Sequence, residues 1–281
     1  MGVHLFFIVS GFVLPYSMYK SGYTLAAMPR FLWRRVVRIE PPYLISILFV
    51  LCCMLAKYLY GLPVNYEGGI LGVLAQVFYL NGILGLPWIN VVYWSLALEF
   101  QFYLLIGLAF ALIKTQGGYR LAVLLMLIAS ARLLDQQSVW VLGYLPFFMI
   151  GMGLCCYRLN KINLGALLLV IMYCTTLLLY PNGLAASIDT LLTIAIFMVL
   201  YFIETRGLPR WLLFTGTISY SIYLIHNILV AGLAVFDPFH LGLWVRIALS
   251  TVTLFISVYV SYLYYQWVEV PFLAKAQKLK R

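Results

Sequence analysis

Residues 93–113 read YWSLALEFQFYLLIGLAFALI, 21 positions that carry one charged group, Glu99, and no proline. A run of that length crosses the roughly 30 Å hydrocarbon core of a bilayer as an α-helix, because a helix satisfies its backbone N–H and C=O groups internally. Working outward, charge-poor stretches recur at Gly2–Tyr19, Pro42–Tyr60, Leu121–Ala131, Gln136–Tyr157, Ile162–Tyr180, Asp189–Ile203, Trp211–Phe236 and Ile247–Val268. With Tyr93–Ile113 they make about nine crossings. Pro181-Asn182-Gly183 closes the sixth, and Gly69–Leu80 is too short to cross, which suits a re-entrant or interfacial helix. The expected fold class is all-α, a polytopic helical membrane protein.

Composition agrees. Hydrophobic residues make up 65% of the 281 and charged residues 9%, whereas soluble domains carry about 25% charged residues. A soluble globule or a disordered chain is excluded on these figures. The five cysteines, Cys52, Cys53, Cys155, Cys156 and Cys174, lie in apolar runs without metal-site spacing and read as small buried hydrophobes. No metal site is expected.

The net charge of +10, from 18 basic and 8 acidic residues, has a topological reading that needs no nucleic acid. With the Lys20–Glu40 loop in the cytoplasm, alternation places every basic residue except Lys57, Arg132 and Arg246 on that side. The C-terminus is then cytoplasmic, and the expected location is a bacterial cytoplasmic membrane. An odd number of crossings starts Met1 on the outer face with no preceding segment to carry it there. The expectation is therefore a single membrane domain over 1–281 that lacks one helix at its N-terminus.

Ionisable groups inside spans are costly and raise functional hypotheses. Glu99 lies one to two turns below the outer face, His4 at the outer mouth and His226 near mid-membrane. Ser219, Tyr223 and His226 stand at i, i+4 and i+7 on one helical face, while Ser95 and Gln101 add acceptors beside Glu99. Asp189 and Arg246, near span ends, read as interfacial, and Glu269 reads as structural. Arg30, Arg34 and Arg38 align at helical spacing, and Arg35 and Arg38 form an Arg-x-x-Arg pair. Such a cluster either anchors the chain at anionic headgroups or grips phosphate oxygens bidentately, with Glu40 steadying one guanidinium.

Four motifs occur in order: GVHLFFIVSGF over residues 2–12, Arg35-Val36-Val37-Arg38-Ile39 leading to Pro42-Tyr43, Trp94-Ser95-Leu96 through Glu99 to Phe102-Tyr103, and SYSIYLIH over residues 219–226. In these, from residue 2 to Pro271, the chain closely resembles the acyltransferase-3 family of bacterial integral membrane O-acyltransferases. The resemblance implies transfer of an acyl group, commonly acetyl, from cytoplasmic acyl-CoA (a donor substrate, with no bound cofactor) to a hydroxyl. Acceptors of that family are typically cell-envelope or secreted carbohydrates and lipid-linked sugars. By analogy Arg35 and Arg38, with Arg34 beside them, hold the phosphates of acyl-CoA. Glu99, His226 and His4 are the catalytic candidates, and Ser10, Trp94, Ser95 and Tyr223 line the substrate chamber. Members usually have ten spans, the first carrying a basic residue and a histidine regarded as the catalytic base. That helix is not in this sequence, and His4 replaces the usual aspartate of the first signature.

Two other readings stay open. A secondary transporter or flippase would use Glu99 and His226 as a proton relay, although the chain shows no convincing repeat. An inactive truncated paralogue would serve as a scaffold. Acceptor recognition falls to the short outer loops Gly61–Gly68, Asn81–Val92 and Asp237–Gly242.

Overall fold

The computed structural model describes residues 2–135, 140–180, 183–202, 209–233 and 242–278. Pro181-Asn182, residues 136–139 and 237–241, Arg206, Lys280 and Arg281, all invoked above, lie outside the described residues. Among the described residues all regular structure is helical. The elements are α1 (Gly2–Lys20), α2 (Met28–Leu59), α3 (Gly69–Val77), α4 (Asn81–Leu84), α5 (Trp94–Thr115), α6 (Gly118–Ala129) and α7 (Leu145–Arg158). They continue with α8 (Leu164–Leu179), α9 (Leu184–Phe202), α10 (Arg210–Thr217), α11 (Ser219–Leu233), α12 (Leu243–Tyr264) and α13 (Val270–Lys278).

Among the described residues six helical stretches are long and apolar enough to cross a membrane, or seven if the bent pair α10–α11 forms one span. Nine full-length spans are not reached, because α8 has 16 residues and α6 only 12. Leu48, Leu108, Leu112, Leu127, Leu254 and Phe255 are exposed on helix surfaces, as lipid-facing side chains are.

Two sequence boundaries are corrected. The Lys20–Glu40 segment is not a loop up to Pro42: α2 begins at Met28 and runs 32 residues through Pro41 and Pro42. Proline removes a backbone donor and crowds the preceding turn. Here the Tyr220 hydroxyl donates to the Ile39 carbonyl at 2.9 Å, and the Tyr264 hydroxyl donates to that of Pro42. Pro41–Leu59 covers about 28 Å, which fills the hydrocarbon core, so the arginine-bearing turns before it project beyond the apolar layer. The Trp211–Phe236 span is instead broken at Ile218, where α10 and α11 meet at 73°. Thr217 Oγ1 donates to the Leu213 carbonyl and Ser219 Oγ to that of Gly216. Hydroxyls that bond local carbonyls compete with the helical ladder at this point.

The chain divides into two compact units, one of Met1–Pro29 with Leu98–Arg206 and one of Arg30–Ala97 with Gly207–Arg281. In the first, α7 is the central element, with every residue from Leu145 to Cys156 buried, as expected of a helix apolar all round. It packs on α1, α6 and α8, and α9 packs on α1 and α8. Glycines permit the closest of these crossings. A Cβ on Gly11 would lie 2.1 Å from the Phe148 carbonyl oxygen, and one on Gly151 would lie 2.0 Å from that of Ile8. Cys155, Cys156 and Cys174 are buried in this unit as expected, whereas on α2 of the second unit Cys53 is only half-buried and Cys52 is exposed, because that face of the helix is an outward one.

In the second unit the short pair α3–α4 confirms that Gly69–Leu80 does not form a span-length helix. Buried polar side chains hold it. The Tyr43 hydroxyl donates to the Gln76 carbonyl at 2.8 Å and accepts from Gln76 Nε2 at 2.7 Å. Gln76 Oε1 accepts the Ile89 N–H, and Asn81 Nδ2 donates to the carbonyls of Gly72 and Pro87. Tyr43 stacks on Tyr79 with centroids 4.7 Å apart and meets Tyr93 edge-on at 5.0 Å. Irregular backbone at membrane depth needs such internal partners.

Candidate active site

Glu99 lies in the second turn of α5 and is 7% exposed. Its Oε1 accepts from Ser10 Oγ at 3.4 Å and from the hydroxyl of Tyr103, one turn further along α5. The first and third sequence motifs thus meet in the first unit: the Ser10 turn of α1 supports the carboxylate. Gln101 does something different, since its Oε1 accepts the Val141 N–H at 2.8 Å and fixes the start of the segment leading into α7.

The same unit pairs two residues that the sequence kept apart. His4 Nδ1 lies 2.9 Å from Asp189 Oδ2, and the His4 ring stacks on Phe147 with centroids 4.6 Å apart. Asp189 lies in the second turn of α9, which starts five residues earlier, at Leu184. A signal was available: alternation from His4 places both residues at the outer ends of their spans.

In the second unit α11 carries Tyr223, His226 and Asn227, and of these Tyr223 and Asn227 bond to residues at or just before the start of α5. The Tyr223 hydroxyl donates to the Val92 carbonyl and stands 2.5 Å from Ser95 Oγ, joining the two chamber residues named from the motifs. His226 is half-buried, and its Nδ1–H donates to the Ile222 carbonyl at 2.9 Å. A carbonyl accepts only, so Nδ1 carries a proton in this contact. Asn227 Nδ2 donates to Asn90 Oδ1 at 2.6 Å, a contact not read from sequence. Ser219 stands apart from this seam, as the cap of the α10–α11 bend. Trp94, half-buried, is the first residue of α5.

Arg34 and Arg35 are half-buried on the α2 extension, while Arg30 and Arg38 are exposed. The Arg35 guanidinium lies over the Phe31 ring, 5.6 Å from its centroid. Glu40 is not the guanidinium partner expected of it: its carboxylate accepts the Tyr79 hydroxyl at 2.9 Å. The carboxylate within electrostatic reach of Arg38 is Glu269, which is buried in a π-helical turn and accepts from Ser221 Oγ at 2.6 Å. Among the described residues no three His, Cys, Asp or Glu side chains stand close enough to hold a metal ion.

A helical membrane protein with a buried, hydroxyl-supported carboxylate and an arginine-rich helix extension is the class of molecule this geometry defines. The profile of the acyltransferase domain family (Acyl_transf_3) matches residues 1–266, and the chain belongs to that family. No curated protein and no solved structure is significantly similar to it.

Proposed function

We propose that this membrane acyltransferase moves an acyl group, acetyl in the first instance, from cytoplasmic acyl-CoA to a hydroxyl of a carbohydrate or lipid-linked sugar of the bacterial cell envelope. The observation that carries the reading is the α2 extension, where Arg30, Arg34, Arg35 and Arg38 occupy consecutive turns of one helix ahead of the length that fills the bilayer. Guanidinium forks match phosphate oxygens two bonds at a time, and the CoA part of the donor carries several phosphates. The donor binds there by Arg34, Arg35 and Arg38, which places the extension and the C-terminus on the cytoplasmic side of the inner membrane.

The chemistry needs a base for the acceptor hydroxyl and polar groups to orient the reactants. His4 and His226 each have Nδ1 committed to an acceptor, which leaves Nε2 to take a proton. Glu99, held by Ser10 and Tyr103, is placed to orient a hydroxyl. Trp94, Ser95 and Tyr223 line the path of the substrates.

Transfer of radiolabel from acetyl-CoA to an alkali-labile ester in membranes of cells expressing the gene tests the reading. Arg35→Ala with Arg38→Ala raises the KM for acetyl-CoA about tenfold or more, the loss of one or two charge-assisted bonds. Uptake of a solute without any ester formation would instead identify a transporter.

A further inference from the structure

The helix that α12 begins and α13 ends changes register at one point. Thr253, Ser257 and Ser261 line the buried face of α12 at intervals of four. Eight residues after Ser261, Glu269 would stand about 80° off that bearing in an uninterrupted α-helix. Tyr265–Glu269 instead form a π-helical turn, which takes up one extra residue and turns the side chains after it back by about 100°. Glu269 therefore comes to within about 20° of the Ser261 bearing. It is 3% exposed, whereas Trp267 on the same turn is 72% exposed. The π-turn thus faces a carboxylate inward that a regular helix would leave to the side, and such turns are frequent at functional sites.

A buried carboxylate is costly unless it is both hydrogen-bonded and paired with a cation. The elements around the turn supply both. Ser221 Oγ donates to Glu269 Oε2 at 2.6 Å. Its neighbour Tyr220 donates to the Ile39 carbonyl at 2.9 Å, and Tyr264, just before the π-turn, donates to that of Pro42. These contacts fasten α11 and α12 to the stretch of α2 that follows Arg38. Among the described residues Arg38 is the basic side chain within electrostatic reach of Glu269, and it is itself exposed, so it stays open to a ligand. We infer that Glu269 is the positioning residue of Arg38 and holds its guanidinium toward the donor's phosphates, an inference that rests on the acyl-transfer reading above. Arg35 is steadied in another way, by the Phe31 ring 5.6 Å away. A guanidinium already oriented loses less rotamer freedom when it grips a phosphate. Two effects of the carboxylate oppose each other: its charge repels the donor's phosphates, and its hold on Arg38 prepares the fork for them. Repulsion across an exposed guanidinium is screened by solvent, whereas orientation acts on both bonds of the fork. Orientation wins, which fixes the sign of the test.

The test uses the full gene product, in membranes for kinetics with acetyl-CoA and purified in detergent for calorimetry with CoA. Glu269→Gln removes the charge but keeps the shape and an oxygen to accept from Ser221. It raises the KM for acetyl-CoA and the Kd for CoA about three- to tenfold, with kcat within about twofold of wild type. In an Arg38→Ala background it raises neither any further. A folded Glu269→Gln protein with KM unchanged or lowered overturns the inference, the lowered value being what repulsion alone gives. So does a KM raised equally in the Arg38→Ala background, which is what a structural role gives. Should Glu269→Gln fail to fold, Arg38→Ala decides. Without CoA present it lowers the melting temperature by about 3 °C or more, because a buried carboxylate loses its cation, and an unmoved melting temperature overturns the inference. Wild-type membranes that form no ester would remove the acyl-transfer reading and this role with it, whereas ester formation with an unchanged KM in the variant removes the role of Glu269 alone.

Discussion

Replacing Gly11 by alanine puts a methyl group where no space exists. Its Cβ would lie 2.1 Å from the Phe148 carbonyl oxygen and 2.8 Å from the Phe148 Cα and carbonyl carbon, all of them backbone. Neither side of the contact can rotate away, so α1 and α7 must separate by about 1 Å before ordinary van der Waals distance is restored. A gap of that size forfeits roughly a quarter to a half of each dispersion contact across the crossing. Phe7, which lies 4.9 Å from the Phe148 ring centroid, and the fully buried Ile8 and Phe148 sit at that crossing. The cost is about 2–4 kcal/mol, at or above the usual range for overpacking. At roughly 2–4 °C per kcal/mol the melting temperature falls by about 5–15 °C. Gly151→Ala has a similar effect from the facing helix, where its Cβ would meet the Ile8 carbonyl oxygen at 2.0 Å. The double variant costs less than the sum, because one separation relieves both clashes. Differential scanning fluorimetry of the purified protein in detergent measures all three. A Gly11→Ala protein melting within 2 °C of wild type would refute the close crossing.

Further outcomes follow from single contacts. Ser221→Ala leaves the buried Glu269 carboxylate without its 2.6 Å donor and lowers stability by about 1–3 kcal/mol in the same melting experiment. Asn163→Ala removes the side chain that accepts the Ala166 N–H at the start of α8, for a loss of about 1 kcal/mol. A green fluorescent protein fused after the C-terminus is fluorescent and an alkaline phosphatase fusion inactive; the reverse pattern contradicts a cytoplasmic C-terminus.

Much of this architecture is legible in the sequence, for reasons that also explain where reading stops. Hydrophobic runs mark α1, α5 and α9 because lipid contact demands apolar side chains whatever the neighbours are. The start of α2 was not legible: two adjacent prolines look like a helix beginning, and the tyrosines that bond carbonyls beside them, Tyr220 and Tyr264, lie 181 and 222 residues from the residues whose carbonyls they bind. The break at Ile218 was hidden for a different reason: the run around it holds Thr215, Gly216, Thr217, Ser219 and Ser221 but no charged residue or proline to mark an end. At the site, the Ser10 and Glu99 motifs pointed to residues that do meet, and so did Ser95 and Tyr223. Asp189 was passed over because a carboxylate near a span end is usually interfacial, and only tertiary packing of α9 on α1 gives it His4 as a partner. The anchoring of α3 by Tyr43 and Gln76 was equally invisible, being a contact of side chains and not a periodicity.

The central claim, acyl transfer from a CoA donor gripped by the α2 arginines, is tested most directly with inside-out membrane vesicles from cells expressing the gene. Radiolabelled acetyl-CoA is supplied outside the vesicles, on the cytoplasmic face. The account predicts alkali-labile label in envelope carbohydrate, absent without the gene, and a KM for acetyl-CoA raised about tenfold or more by Arg35→Ala with Arg38→Ala. Label indistinguishable from membranes lacking the gene, or an unchanged KM in a folded double variant, would contradict it.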